Sequence, residues 1–187
     1  MAAELYVALI HAPVYNKKME IIATSITNLD LHDIARSSAT FGVHSYYVVH
    51  PAPSQQDLAR RIMSFWREGY GAEYNPDRYE AFARVRLASS LQQVLEEIKV
   101  EQKGKRIYTV ATDARLYPNT IEYRDLRQML EQSDDVFVIL FGTGWGLLKE
   151  DIESADYILK PIYGSGEYNH LSVRSAAAII LDRLRGH

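Results

Sequence analysis

"YILKPIYGSGEYNHLSVRSAAAIILDRLR", residues 157–185, reads as three consecutive pieces. The run 157–162 is apolar enough for a buried strand. Residues 163–171 form a loop containing Gly164 and Gly166. From about Ser172 to Arg185 the pattern is helical: Val173, Ala176, Ala177, Ile180, Leu181 and Leu184 recur on one helix face. The run Ala176–Ala178 permits close approach of another backbone. Such a helix covers a sheet, packs on a partner subunit, or does both. A helix that only covers a sheet needs no glycine loop before it, so the loop is a candidate ligand holder.

The rest of the chain alternates strands with helices. Strands are expected at 5–10, 20–27, 45–50, 83–89, 106–112 and 136–141, the last being the most apolar. Helices are expected at 29–42, with Asn28 or Asp30 as cap and Gly42 as stop. Others are expected at 55–68 with Ser54 as cap, at 90–103 with Ser90 as cap, and at 121–132. The stretch 69–82, rich in Gly, Tyr, Asn and Pro, reads as a loop. This alternation predicts an α/β fold, a mostly parallel sheet flanked by helices. With no repeat and no long linker, 1–187 reads as one domain.

Bulk properties narrow the function. The 187 residues are 47% hydrophobic with a formal net charge of −3, which argues against a general nucleic-acid binder. Residues 51–106 carry ten Lys/Arg against eight Asp/Glu, whereas 107–187 is net −4. There is no cysteine, hence no disulfide, Cys-ligated zinc or thiol nucleophile. The start of the chain has no basic segment before its apolar run and reads as a strand, not a signal peptide. No apolar run approaches the roughly 20 residues of a membrane span. The expected location is cytoplasmic. The six histidines show no ligand spacing, so no metal is expected.

In parallel α/β sheets, ligands sit at the carboxyl ends of strands. Three loops leave strands there: 111–120, 141–147 and 161–172. "GTGWG" (142–146) is GxGxG, not the dinucleotide GxGxxG, and by itself is equally a tight strand-to-helix turn. No Walker lysine accompanies these loops, which suits a neutral adenosine better than a triphosphate. On 29–42, Asp33, Arg36, Ser37 and Thr40 share one face, while Ile34, Ala35 and Phe41 turn to the core. That stripe reads as a solvated Asp–Arg face or as a functional one.

Three segments, in order, resemble the motifs of the SPOUT class of RNA methyltransferases. "DIARSSATFGV" (33–43) is similar to the first, "VFVILFGTGWGL" (136–147) to the second, and "YILKPIYGSGEYNHLSVRSAAAII" (157–180) to the third. The resemblance implies a C-terminal trefoil knot, S-adenosylmethionine as cofactor, an RNA substrate (tRNA or rRNA, base or ribose) and a homodimer. It implies that Phe141, Gly142, Thr143 and Gly144 line the cofactor, with Ile162, Gly164, Asn169, Leu171 and Val173, and that Thr112 closes the pocket. Arg36 matches the first-motif arginine placed at the reacting centre. Asp33 or Asp113 would orient a base or accept a proton. Trp145 and His170 stand where the motifs often carry smaller residues, and Ser172 where many relatives have Asn. RNA contacts would come from this domain, through Lys17, Lys18, Arg36, Arg60, Arg61 and Arg67. The alternatives are a SAM-binding protein without catalysis and a flavodoxin-like nucleotide-binding module.

Overall fold

The computed structural model describes residues 2–187. Its strands are β1 (Glu4–Ile10), β2 (Val14–Tyr15), β3 (Ile21–Ile22), β4 (Ser45–Val49), β5 (Val85–Ala88), β6 (Ile107–Ala111), β7 (Thr120–Ile121), β8 (Val136–Gly142) and β9 (Tyr157–Leu159). Its helices are α1 (Asn28–Thr40), α2 (Pro53–Arg67), α3 (Gly69–Tyr74), α4 (Pro76–Ala83), α5 (Leu91–Glu101), α6 (Tyr123–Gln132), α7 (Lys149–Ser154) and α8 (Val173–Arg185).

Seven strands form one sheet in the order β5-β4-β1-β8-β6-β9-β7, with every pair parallel. β8 lies between β1 and β6 and is buried from Val136 to Phe141, as its unbroken apolar run requires. Successive strand residues feed opposite cores. Leu5, Val7, Leu9, Phe137, Ile139 and Phe141 pack with residues of α1, α2, α4, α6 and α8. Tyr6, Ala8, Ile10, Val138 and Leu140 pack with α5 and with Ile152 of α7. From β1 the chain builds outward through β4 to β5, then returns to β6 on the far side of β8. The loops beyond β1, β8 and β6 therefore diverge, and a crevice opens at their carboxyl ends.

Four expectations change. Residues 20–27 contribute only β3, which pairs antiparallel with β2 in a separate hairpin. The cap of α1 is Thr27, whose hydroxyl accepts from the N–H of Asp30 at 3.1 Å. α2 begins at Pro53, before Ser54, because proline at the first helical position has no N–H to satisfy. The stretch 69–82 is not a loop but α3 and α4. Asn75 caps the second of these, accepting from the N–H of Arg78 at 3.1 Å, and Pro76 follows at its first position. Asn-Pro is here a helix start. Ser90 caps α5 as expected, and Ser172, where the last helix was expected to begin, is the cap of α8.

Candidate functional site

Three loops build the site. The first follows β8. A Cβ on Gly142 would lie 2.5 Å from the Leu147 nitrogen, so the loop folds back through space only glycine leaves open. Gly144 has φ +58, and a Cβ there would meet the Tyr15 carbonyl at 2.7 Å. The β2–β3 hairpin braces this turn: Trp145 N–H donates to the Tyr15 carbonyl (2.7 Å) and Tyr15 N–H to that of Gly146 (3.1 Å). Thr143 donates its hydroxyl to the Ile10 carbonyl (3.1 Å) and shares a 2.5 Å hydrogen bond with the Thr24 hydroxyl. Thr24 in turn meets His11 Nδ1 at 3.1 Å. His11 is fully buried, and burial, with His50 nearby, lowers its pKa to about 4. It is neutral at physiological pH and holds the hairpin to the glycine turn.

The second loop follows β6. Thr112 donates its hydroxyl to the Leu140 carbonyl (2.8 Å). The Asp113 carboxylate accepts from Arg115 Nε and Nη2 (2.7 Å for the shorter contact) and from the Tyr117 hydroxyl (2.9 Å). Its side chain is only 6% exposed, so these donors stand in for water. Burial, and then Asp113, push the Tyr117 hydroxyl up to about 12, so it stays a donor.

The third loop follows β9. Lys160 is tied to Ile121 through its N–H (3.0 Å) and to Glu122 through its ammonium (2.6 Å). From residue 161 to 171, no backbone–backbone hydrogen bond forms among the described residues. These N–H and C=O groups remain available to water or a ligand. Asn169 anchors the segment by donating to the Ala114 carbonyl (2.9 Å), and Ser172 then starts α8.

Between the loops lies a cavity of about 640 Å³, within the usual range for small-molecule sites. Phe141, Leu159, Pro161, Ile162, Val173, Ala176 and Ile180 give it apolar walls, and Asp30, Thr112, Asp113, Arg115, Thr143 and Asn169 its polar points. Of the residues singled out in the sequence, Thr112, Asp113, Phe141, Gly142, Thr143, Gly144, Ile162, Asn169, Leu171 and Val173 line it. Gly164 is exposed and lies outside the lining. Asp33 and Arg36 line a second, shallower cavity of about 470 Å³ with Ser37, Thr40, Arg174 and Ser175. There Asp33 pairs with Arg174 (3.1 Å) instead of Arg36, and Arg174 also reaches Asp30 (3.5 Å). Ser172 lines both cavities. Lys17, Lys18, Arg60, Arg61 and Arg67 are exposed, the lysines on the hairpin and the arginines on α2.

Sequence reasoning missed Asp30, which it weighed only as a cap, and Arg115, Tyr168 and Ala176 as lining residues. Arg115 carried a readable signal, the Asp-x-Arg spacing at a strand end. The position of Asp30 depends on α8 closing over α1, which no local pattern announces. Among the described residues, no group of three His, Asp or Glu side chains is placed to hold a metal, and no helix is long and apolar enough to cross a membrane.

Comparison with known proteins gives a consistent set of matches. A family model described as SAM-dependent RNA methyltransferase matches residues 4–186. An uncharacterized protein of Aquifex aeolicus is 46% identical over 180 residues, 96% of this chain and 87% of its own length. A tRNA (guanine-N(1)-)-methyltransferase of Oleidesulfovibrio alaskensis is 42% identical over 182 residues, 97% of this chain but 42% of that protein. The chain thus spans less than half the length of this second relative. Among solved structures, the SpoU methyltransferase AviRb from Streptomyces viridochromogenes, in complex with AdoMet, matches with a TM-score of 0.65 and 17% identity. The match covers 98% of this chain and 57% of that one. At that identity the likeness shows the fold, a parallel α/β sheet flanked by helices.

Proposed function

The chain belongs to the SAM-dependent RNA methyltransferase family, and from that premise we propose how its own residues perform the transfer. The cofactor lies in the 640 Å³ cavity, and RNA approaches from its open side. The observation that carries this reading is the 161–171 segment, which lines an apolar cavity while making no backbone–backbone hydrogen bond. Its free N–H and C=O groups suit the polar edge of an adenine, and the walls of Phe141, Leu159, Ile162 and Val173 suit its faces. The two cations at the cavity are already engaged, Arg115 by Asp113 and Lys160 by Glu122. That disfavours a triphosphate and fits an adenosine without phosphate.

Bound S-adenosylmethionine supplies a methyl group on a sulfonium, an electrophile already activated. The chain therefore has to align donor and acceptor and handle one proton. Phe141–Gly144 and Ile162, Asn169, Leu171 and Val173 hold the adenosine and exclude water, and Thr112 closes the floor. Asp113, which accepts from Arg115 and Tyr117, orients Arg115 at the cavity. Arg36 and Asp33 lie outside that cavity, on the face shared by α1 and α8. In this reading a second copy packed on α8 brings them to the reacting centre. The chain then acts as one methyltransferase unit in a homodimer.

The segment 161–172 passes beneath the 112–120 loop as a trefoil knot. The Asn169–Ala114 bond and the seating of α8 against both α1 and α6 support this. A crystal structure tracing the segment outside that loop would overturn it. The O. alaskensis relative suggests tRNA as the substrate and, with it, a cytoplasmic location.

The test is transfer of a labelled methyl from S-adenosylmethionine to unmodified tRNA and rRNA. Label should enter RNA, and Arg36→Ala should reduce the rate about a hundredfold or more with cofactor affinity unchanged. Full activity of Arg36→Ala would remove that residue from the reacting centre.

A further inference from the structure

We infer that Trp145, Tyr168 and His170 form a stacking rim that receives an unpaired base of the RNA at the cavity mouth. This rests on the methyltransferase reading of the cavity beneath. The three rings come from two loops, Trp145 from the turn after β8 and the others from the segment before α8, and all line the cavity. Trp145 is 49% and Tyr168 77% exposed. Among the described residues, no side-chain hydrogen bond holds any of the three. The fold gains little from them where they stand, and large aromatic surface left open around a cavity marks an interaction site.

The spacing points to a flat partner. The Trp145 and His170 rings are 6.3 Å apart between centroids and tilted by 34°, and Tyr168 meets His170 edge-on at 5.7 Å. A base inserted between two rings needs about 6.8 Å, two stacking distances of ~3.4 Å. A small opening of the Trp145–His170 pair is enough.

The surroundings favour stacking over phosphate attraction, because residues 107–187 are net −4. Proteins read RNA chiefly at unpaired bases stacked on aromatic side chains. A paired base would stay inside its helix, out of reach of this rim, so the acceptor nucleotide is single-stranded or flipped out.

Tryptophan fluorescence tests the rim directly. The chain has two tryptophans, and the other, Trp66, lies under the Arg78 guanidinium at 4.4 Å. Wild-type protein with bound S-adenosylhomocysteine is titrated with a mixed-sequence single-stranded oligoribonucleotide and with blunt duplex RNA of equal length. The expected result is saturable quenching by the single strand, at least tenfold weaker for the duplex and absent in Trp145→Phe. Tyr168→Ala should weaken single-strand binding about tenfold. No quenching, equal quenching by the duplex, or quenching that persists in Trp145→Phe would overturn the proposal. Calorimetry with S-adenosylhomocysteine on the same wild-type sample separates the two ideas. If that ligand binds and quenching is absent, the rim fails alone. If it does not bind, the cofactor reading fails, while the fluorescence still decides the rim.

Discussion

Two glycines near the site behave differently when given a side chain. Gly144→Ala puts a Cβ at 2.7 Å from the Tyr15 carbonyl at φ +58, so it should destabilise the protein by about 2 kcal/mol or more and weaken cofactor binding. Gly164 has open space around its missing Cβ, so Gly164→Ala should be neutral or stabilising by up to ~1 kcal/mol. Paired denaturant titrations check both, and equal effects would break the account of the turn. His11 supplies a pH dependence. Its folded pKa, lowered to about 4 by burial, lies below the unfolded value. The unfolded chain therefore binds a proton near pH 6.5 that the folded one refuses until near pH 4. Stability is full above that window and falls as pH drops through it, by about 2 kcal/mol between pH 7 and 5. Burial lowers His50 as well, adding in the same direction. Urea titrations at the two pH values should show the loss, and His11→Gln should flatten it. A flat wild-type profile would mean that His11 is hydrated.

The short elements depend on one or two side chains each. The Ser172 hydroxyl accepts from the Ser175 N–H at the start of α8, so Ser172→Ala should cost about 1 kcal/mol, seen as a lower midpoint in thermal melts. β9 pairs with β6 at only two positions, and Asp156 reinforces it by accepting from the N–H (2.8 Å) and hydroxyl (3.0 Å) of Thr109. Asp156→Ala should loosen β9, read as faster amide exchange at Ile158 and Leu159. Unchanged exchange there would show that packing alone holds the strand. This dependence explains what the sequence revealed at element scale. β1, β4 and β8 were legible because their mostly apolar runs match strands buried on both faces. β7 and α7 were not, being two and six residues long with no period to detect. α3 and α4 were hidden because glycine, asparagine and proline, which usually mark loops, here begin helices. At the site, the loops were legible through their glycines. The placement of Arg36 and Asp33 in a separate cavity was not, since it follows from how α1 and α8 pack.

At the scale of the molecule, order and direction of the strands put the carboxyl ends of β8, β6 and β9 around one cavity, while α8 shuts its side. The second cavity, on the α1–α8 face, makes sense with a second copy present. Light scattering should give twice the 21.4 kDa mass of one chain, and a monomer would leave Arg36 without a route to the reacting centre. Calorimetric titration shows whether the cavity holds S-adenosylmethionine. Saturable binding of S-adenosylmethionine and S-adenosylhomocysteine is expected, with no heat from FMN or ATP. A folded sample that binds neither adenosyl ligand, or that binds FMN or ATP instead, would contradict it.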